Sequence, residues 1–284
     1  MLYLLTAMAA EARPLRDAFR LAARPAAGPF QHFAGDGVEL VVTGIGKVAM
    51  AAGCGWLAAA GGGGWLAGRS SGPGLWLNVG IAGHRGLPLG SALLAHQVID
   101  RATGSSLFPP LVFEPPCATG TVETVDRPEL AYPADHAYDM EASAFVAVAR
   151  GFAGAELVQV LKVISDGKRE DVAKLDRSAI GAKVESLLPL IEALRQATLP
   201  LAAVLRLGEE EPPLFAELLH GRHFTFSDQV ALRRLLRRLA ALSPAAGVPA
   251  EVLAERRGRE LNRRLGSWLD TLPVLHLAAA ETGG

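Results

Sequence analysis

The chain has 284 residues, 50% hydrophobic and 20% charged, with a net charge of -1. That size and composition exclude intrinsic disorder and suit one large or two smaller globular domains. The near-neutral charge gives no pull toward nucleic acid or a membrane surface. The two cysteines, Cys54 and Cys117, stand far apart and in no ligand spacing, so neither a disulfide framework nor a metal centre is expected, and a reducing cytoplasm is the default compartment.

Met1 to Ala10 is apolar but carries no basic flank and runs into Glu11, so it reads as a buried strand rather than a leader segment. Within it, Leu2 to Thr6 is the strand, and a helix follows through Phe19 in which Pro14 fits only if it lies in the first turn. Glu11 therefore stands where strand gives way to helix, the edge of an open α/β sheet at which ligands gather. Val38 to Thr43 is a second strand, and the glycine-bearing turn Thr43-Gly44-Ile45-Gly46-Lys47-Val48 leads into a small-residue helix, Ala49 to Ala60. A lone Gly-x-Gly serves either a phosphate cradle or simply a tight turn.

The Gly/Ser-rich piece Gly61 to Gly74 reads as a surface loop and interrupts the one apolar stretch, Ala49 to Gly68, that approaches bilayer length. Leu75 to Val79 is a third strand, ending in the glycine-rich Gly80 to Gly86, and Gly90 turns the chain into a fourth, Leu93 to Asp100. A proline-rich loop, Ser105 to Pro116, precedes strand-like Cys117 to Val125. Tyr138 to Arg150 reads as a nearly all-apolar helix whose polar start holds Asp139 as N-cap and Glu141 in the first turn. Glu156 to Ile164 is β-branched and ends at Ser165-Asp166, and Ala179 to Gln196 forms an amphipathic helix kinked at Pro189. Beyond Pro200 strand signals fade and three helices follow: Leu214 to His220, Ser227 to Leu242 capped by Ser227, and Pro249 to Leu269. His220 and His223 lack further ligands nearby, so no metal is expected there.

Three carboxylates, Glu11, Glu141 and Asp166, thus fall at element ends beside glycine-rich turns. Cleaving an N-glycosidic bond passes through an oxocarbenium-like sugar and needs an acid for the leaving base, a carboxylate for the ribose hydroxyls and a group to place the nucleophile. Three carboxylates match those tasks, although by spacing alone Asp166 can equally cap a turn and Glu11 can be an exposed first-turn residue.

A series of short motifs resembles one family. Ala7-Met8-Ala9-Ala10-Glu11 is similar to the Ala-Met-x-x-Glu start of the methylthioadenosine/S-adenosylhomocysteine nucleosidases, and Thr43 to Val48 to their Ser-Gly-Ile-Gly-Lys-Val. Asn78-Val79-Gly80-Ile81-Ala82-Gly83 resembles Asn-Thr-Gly-Ser-Ala-Gly, Asp139 to Ala144 resembles Glu-Met-Glu-Ala-Thr-Ala, and Val163 to Asp166 resembles Ala-Ile-Ser-Asp. On these five motifs residues 1–198 are identified with the nucleoside phosphorylase/nucleosidase superfamily, followed by a helical extension over residues 199–284.

The resemblance implies a three-layer α/β/α sandwich around a mixed, partly closed sheet, no cofactor, a small nucleoside substrate and a homodimer. It assigns Glu11 to activation of water and Asp166 to protonation of the base. Met140 and Glu141 would hold the ribose, with Gly46, Gly80, Ile81, Ala82, Gly83 and Ser165 as further substrate-side residues. The chain departs from the family where the Asp100 to Tyr138 stretch is short and lacks the Ser-Gly-Asp-x-Phe segment whose aromatic stacks on the base; Cys117 to Thr124 is the nearest match. Ile81 replaces a small polar residue, and Lys168 follows Asp166 where the family loop is less charged. Two alternatives stand beside hydrolysis. One is phosphorolysis, with Arg13, Arg16 or Arg85 and the Gly44 to Gly46 turn holding phosphate; the other is a binding module that uses the arginine faces of the C-terminal helices.

Overall fold

The computed structural model describes residues 1–24, 28–60, 74–168, 176–209, 211–212, 214–242 and 247–272. These form two compact units, Met1–Arg206 and Leu207–Gly284. The proposed loop at Gly61 to Gly74 lies outside the described residues except for Gly74.

In the first unit β1 (Leu2–Thr6) is followed by α1 (Ala9–Ala18), then β2 (Ala22–Ala23), β3 (Gln31–Gly35), β4 (Val38–Val42) and α2 (Lys47–Ala60). Next come β5 (Leu75–His84), β6 (Ala92–Asp100), β7 (Ser106–Leu107), β8 (Thr119–Thr124) and β9 (Ala137–Asp139). The short helix α3 (Ala142–Ala149) leads to β10 (Val158–Asp166), α4 (Arg177–Glu185) and α5 (Leu188–Glu209). All strands join one mixed sheet. β5 pairs with β10 in parallel, β10 with β6, β6 with β8, β8 with β9, and β9 back with β5, so these five strands close on themselves. β1 leaves the other edge of β5 and carries β4, β3 and β2 outward. Closure removes the free edge that β5 would otherwise present and brings the carboxyl ends of β5, β8, β9 and β10 around one point.

The two-residue period of a strand divides the core. Tyr3, Leu5 and Trp76 pack with Met50, Cys54 and Leu57 of α2 and Phe145 and Val146 of α3 on one face. Leu2, Leu4 and Leu77 pack with Ala12 and Leu15 of α1, Val184 of α4, and Ile191 and Leu194 of α5 on the other. The expected three-layer α/β/α sandwich is therefore present.

Several local expectations change. Gly80 to Gly83 is the continuation of β5 and not a turn; the glycines there admit side chains from neighbouring elements. The expected helix from Tyr138 starts only at Ala142, because Ala137 to Asp139 pairs with β5 and β8. Pro14 sits in the second turn of α1, where its missing N–H frees the Ala10 carbonyl. Gly181 of α4 lies against that oxygen. Pro189 does not kink a helix; it lies in the first turn of α5, after a break at Ser186 and Leu187, where a proline loses no hydrogen bond.

The second unit is helical: α6 (Phe215–Leu219), α7 (Phe226–Leu242), α8 (Ala250–Leu253) and α9 (Gly258–Leu269). Its core holds Phe215, Leu218, Leu232, Leu236, Val252, Leu261 and Leu265. The expected single helix from Pro249 to Leu269 is two, and Gly258 at the second start is required because a Cβ would lie 2.5 Å from the Phe224 ring. Thr225, not Ser227, caps α7: its hydroxyl accepts the Asp228 amide while the Asp228 carboxylate accepts the Thr225 amide. Arg222 donates to the Leu218, Leu253 and Glu255 carbonyls, closing the ends of α6 and α8. Among the described residues no helix is long and apolar enough to cross a membrane.

Candidate active site

A cavity of about 190 Å³ opens at the carboxyl ends of the closed strands. Its wall is built from Ala7, Met8 and Glu11 at the β1–α1 corner, Ile81 to Gly83 on β5, Tyr138 to Glu141 around β9, and Ser165 and Asp166 on β10. Ile45 and the loop residues Val125, Pro128, Glu129 and Tyr132 complete it.

Glu11 occupies the third position of α1 and reaches back over the helix start. Its Oε2 accepts the amides of Ala7 at 3.0 Å and Met8 at 2.9 Å, and Oε1 accepts the Ile81 amide at 3.0 Å. This placement follows from local chemistry, since a glutamate in the first helical turn satisfies otherwise unpaired N–H groups. A Cβ on residue 80 would stand 2.7 Å from Glu11 Oε1, so β5 needs glycine there to let the carboxylate lie against it. Burial, the largest influence on Glu11, raises its pKa despite the opposing Lys162 charge and the three amides.

Glu141 stands at the N-cap position of α3, and its Oε1 accepts the Gly46 amide at 2.7 Å. Gly46 has φ +99, a conformation that glycine adopts without strain. Among the described residues no donor reaches Glu141 Oε2. Burial first, then the neighbouring Asp139 charge, raises the Glu141 pKa to about 7. Asp139 performs the capping expected of it, accepting the Ala142 amide at 2.8 Å through Oδ2, but it does more. Its Oδ1 accepts the Thr124 hydroxyl, and Oδ2 pairs with Lys162 Nζ at 2.8 Å. That pair is almost wholly buried, with side chains 1% and 2% exposed.

Lys162, on β10 opposite Gly80, is a residue that sequence reasoning missed. It stands in a run of apolar strand residues, and that isolation was the available signal. Burial alone would push its pKa down, yet Asp139, Glu141 and Glu11 together outweigh that and leave it raised. One ammonium thus faces three buried carboxyl groups.

Asp166 is delivered by an irregularity in β10. Ile164 pairs with Ala82 and Asp166 with Gly83, so Ser165 is an extra residue. Such a bulge re-aims a side chain at the end of a ladder. Ser165 Oγ donates to Asp166 Oδ1 and also lies 3.3 Å from the Ala82 carbonyl. The hydroxyl of Tyr132 donates to Asp166 Oδ2. Tyr132 is buried, packs edge-on against Tyr138, and was not anticipated from the sequence because it lies in the irregular loop between β8 and β9.

The structure therefore brings Glu11, Met140, Glu141, Ile81, Ala82, Gly83, Ser165 and Asp166 to one cavity. Gly46 and Gly80 do not line it; each serves a carboxylate that does. The aromatic wall comes from Tyr132 and Tyr138 rather than from Cys117 to Thr124. Arg13 and Arg16 pair with Asp17 on α1, and Arg85 donates to the Pro133 carbonyl. No arginine or lysine is among the described residues that line the cavity.

Against known proteins, no family model and no curated protein matches the chain. Solved structures do. A variant of Helicobacter pylori MTAN with 5'-methylthioadenosine in its active site aligns at TM-score 0.55 and 16% identity, over 68% of this chain and 96% of that one. Arabidopsis thaliana 5'-methylthioadenosine nucleosidase aligns at TM-score 0.55 and 18% identity, over 68% and 95%. Helicobacter pylori futalosine hydrolase aligns at TM-score 0.54 and 16% identity, over 68% and 96%. The chain shares the fold of these nucleosidases across nearly their whole length.

Proposed function

We propose that the chain hydrolyses the N-glycosidic bond of a purine nucleoside or a 5'-substituted adenosine. The observation that carries this reading is the convergence of Glu11, Glu141 and Asp166 on a single cavity whose described lining has no cation. An oxocarbenium-like sugar is positive, and a site with one buried ammonium and several carboxylates favours positive charge at its centre. Glu141 Oε2 is open to the ribose hydroxyls while Gly46 fixes Oε1. Met140 lines the same wall, where it would lie beneath the sugar.

Glu11, held from three sides and made more basic by burial, activates the water that attacks the anomeric carbon. Asp166, oriented by Ser165, donates a proton to the leaving base. The bond from sugar carbon to base nitrogen breaks, water oxygen takes its place as the water's proton passes to Glu11, and the base leaves with the proton from Asp166. Ligands that two fold relatives bind or cleave, 5'-methylthioadenosine and futalosine, fit the same class.

Phosphorolysis is disfavoured, because the arginines proposed for phosphate lie elsewhere and an incoming anion would meet Glu11 and Glu141. The test is a panel of adenosine, inosine and 5'-methylthioadenosine, with and without phosphate, followed by release of free base. Release independent of phosphate is expected. No release from any nucleoside at high protein concentration would sink the enzyme reading, and strict dependence on phosphate would sink hydrolysis.

A further inference from the structure

We propose that Tyr132 is a specificity gate whose hydroxyl occupies the base-recognition position on Asp166 until a nucleobase displaces it. This rests on the nucleosidase reading of the site and adds to it a residue and a step. Four observations converge. Tyr132 donates to Asp166 Oδ2 while Ser165 holds Oδ1, so each oxygen of the acid already carries one donor and a base nitrogen approaching along the direction now taken by the tyrosine has to displace it. Of the two, Ser165 lies within the β10 ladder and also reaches the Ala82 carbonyl, whereas Tyr132 hangs from a loop without regular structure. The loop is the partner that can yield.

Space gives the second observation. The cavity of about 190 Å³ is smaller than the ~300–1,000 Å³ usual for sites that enclose a ligand, and the ring of Tyr132, 1% exposed, fills the end next to Asp166. Withdrawing the ring would enlarge the space beside Asp166. Third, Gly83 has no side chain where a Cβ would stand 2.6 Å from both Asp166 Oδ2 and the Tyr132 ring. The strand is thus shaped to receive the tyrosine in this position. Fourth, Tyr132 has φ +46, a left-handed conformation unfavourable for a bulky residue. Strain of this kind persists only where surrounding contacts enforce it, and it lowers the barrier to leaving once a competing partner arrives.

A ligand that offers no acceptor or donor to Asp166 does not replace the lost Tyr132 bond. The gate therefore selects for bases with a nitrogen able to bond Asp166 and excludes sugars alone. The conservative variant Tyr132→Phe keeps the ring and deletes the hydroxyl. Adenine affinity, measured by calorimetry on the full chain, should rise about tenfold in Y132F, the effect of one hydrogen bond that no longer has to be broken. In turnover of 5'-methylthioadenosine, KM should fall. Equal or weaker adenine binding in Y132F, or no adenine binding by either protein, overturns the gate. So does a loss of kcat at unchanged KM, which would make Tyr132 a positioning residue for Asp166. The two readings fail separately. Tighter adenine binding in Y132F without any turnover removes the hydrolase and keeps the gate; phosphate-independent turnover with equal adenine affinities does the reverse.

Discussion

The two units of this chain handle charge in opposite ways. In Met1–Arg206 the buried polar side chains include Glu11, Asp139, Glu141, Lys162 and Asp166, gathered at one end of the sheet. In Leu207–Gly284 the buried side chains among the described residues are apolar, and the acidic and basic groups pair at the surface, as in Arg238 with Asp270 and Arg264 with Glu255. Burying an ion costs several kcal/mol unless it is paired, and a fold keeps such groups where chemistry needs them. By that contrast the first unit buries charge at the proposed site, whereas the described interior of the second is an apolar core. In the arginine stripe of α7, Arg233 pairs with Glu211 and covers the Phe215 ring, and Arg238 pairs with Asp270.

The largest effect that would test this contrast is on catalysis. Asp166→Asn should reduce turnover by about 10²–10⁴-fold with the thermal unfolding curve little changed, the magnitude of a lost general acid. Retained turnover would show that proton donation has been assigned to the wrong group. Next is the buried ion pair. Lys162→Met leaves Asp139 without its counter-charge at a site with 1% side-chain exposure, and denaturant titration should show a loss of ~3–5 kcal/mol. A neutral result would mean that water or a neighbour relieves Asp139, and the buried charges would no longer distinguish the two units.

The second unit supplies the converse. Leu265→Ala in the core of α7 to α9 should lower stability by ~2–5 kcal/mol through the cavity it leaves, while kcat of the remaining folded protein holds. Altered kcat would place the second unit in the mechanism.

The smallest expected effect comes from pH. Glu141 must be ionised to accept two ribose hydroxyls, and its pKa stands at about 7 instead of 4.5. Nucleoside kcat/KM should therefore decline about tenfold per pH unit below that value, and a profile flat from pH 8 to 5.5 would remove Glu141 from the ribose. The same shift bears on stability. The folded chain holds this proton more tightly than the unfolded one. The stabilisation from Glu141 is therefore complete below 4.5 and is lost as pH rises through about 7.

Much of the site was legible in order along the chain, because its residues sit at the junctions of strand and helix. Glu11 as a first-turn glutamate, Asp139 as a capping carboxylate and Asp166 at the end of a β-branched run follow from rules that act over three or four residues. The same rules misread Gly80 to Gly83, since glycine signals a turn locally but here admits side chains from α1 and from the β8–β9 loop. They fused α8 and α9 into one helix for a similar reason. Gly258 is set by the Phe224 ring, which no periodicity records.

The sequence by itself determined the alternation of strands and helices, the change of character after Pro200, and the three carboxylates with their glycine-bearing neighbours. Each of these depends on residues close along the chain. Only the tertiary structure decided that β5 and β10 close the sheet, that Lys162 lies beneath Asp139, and that Tyr132 covers Asp166. The last two contacts join residues 23 and 34 positions apart on elements that do not pair with each other. Local propensity has no term for them, whereas the energy of a buried charge depends on such contacts most strongly.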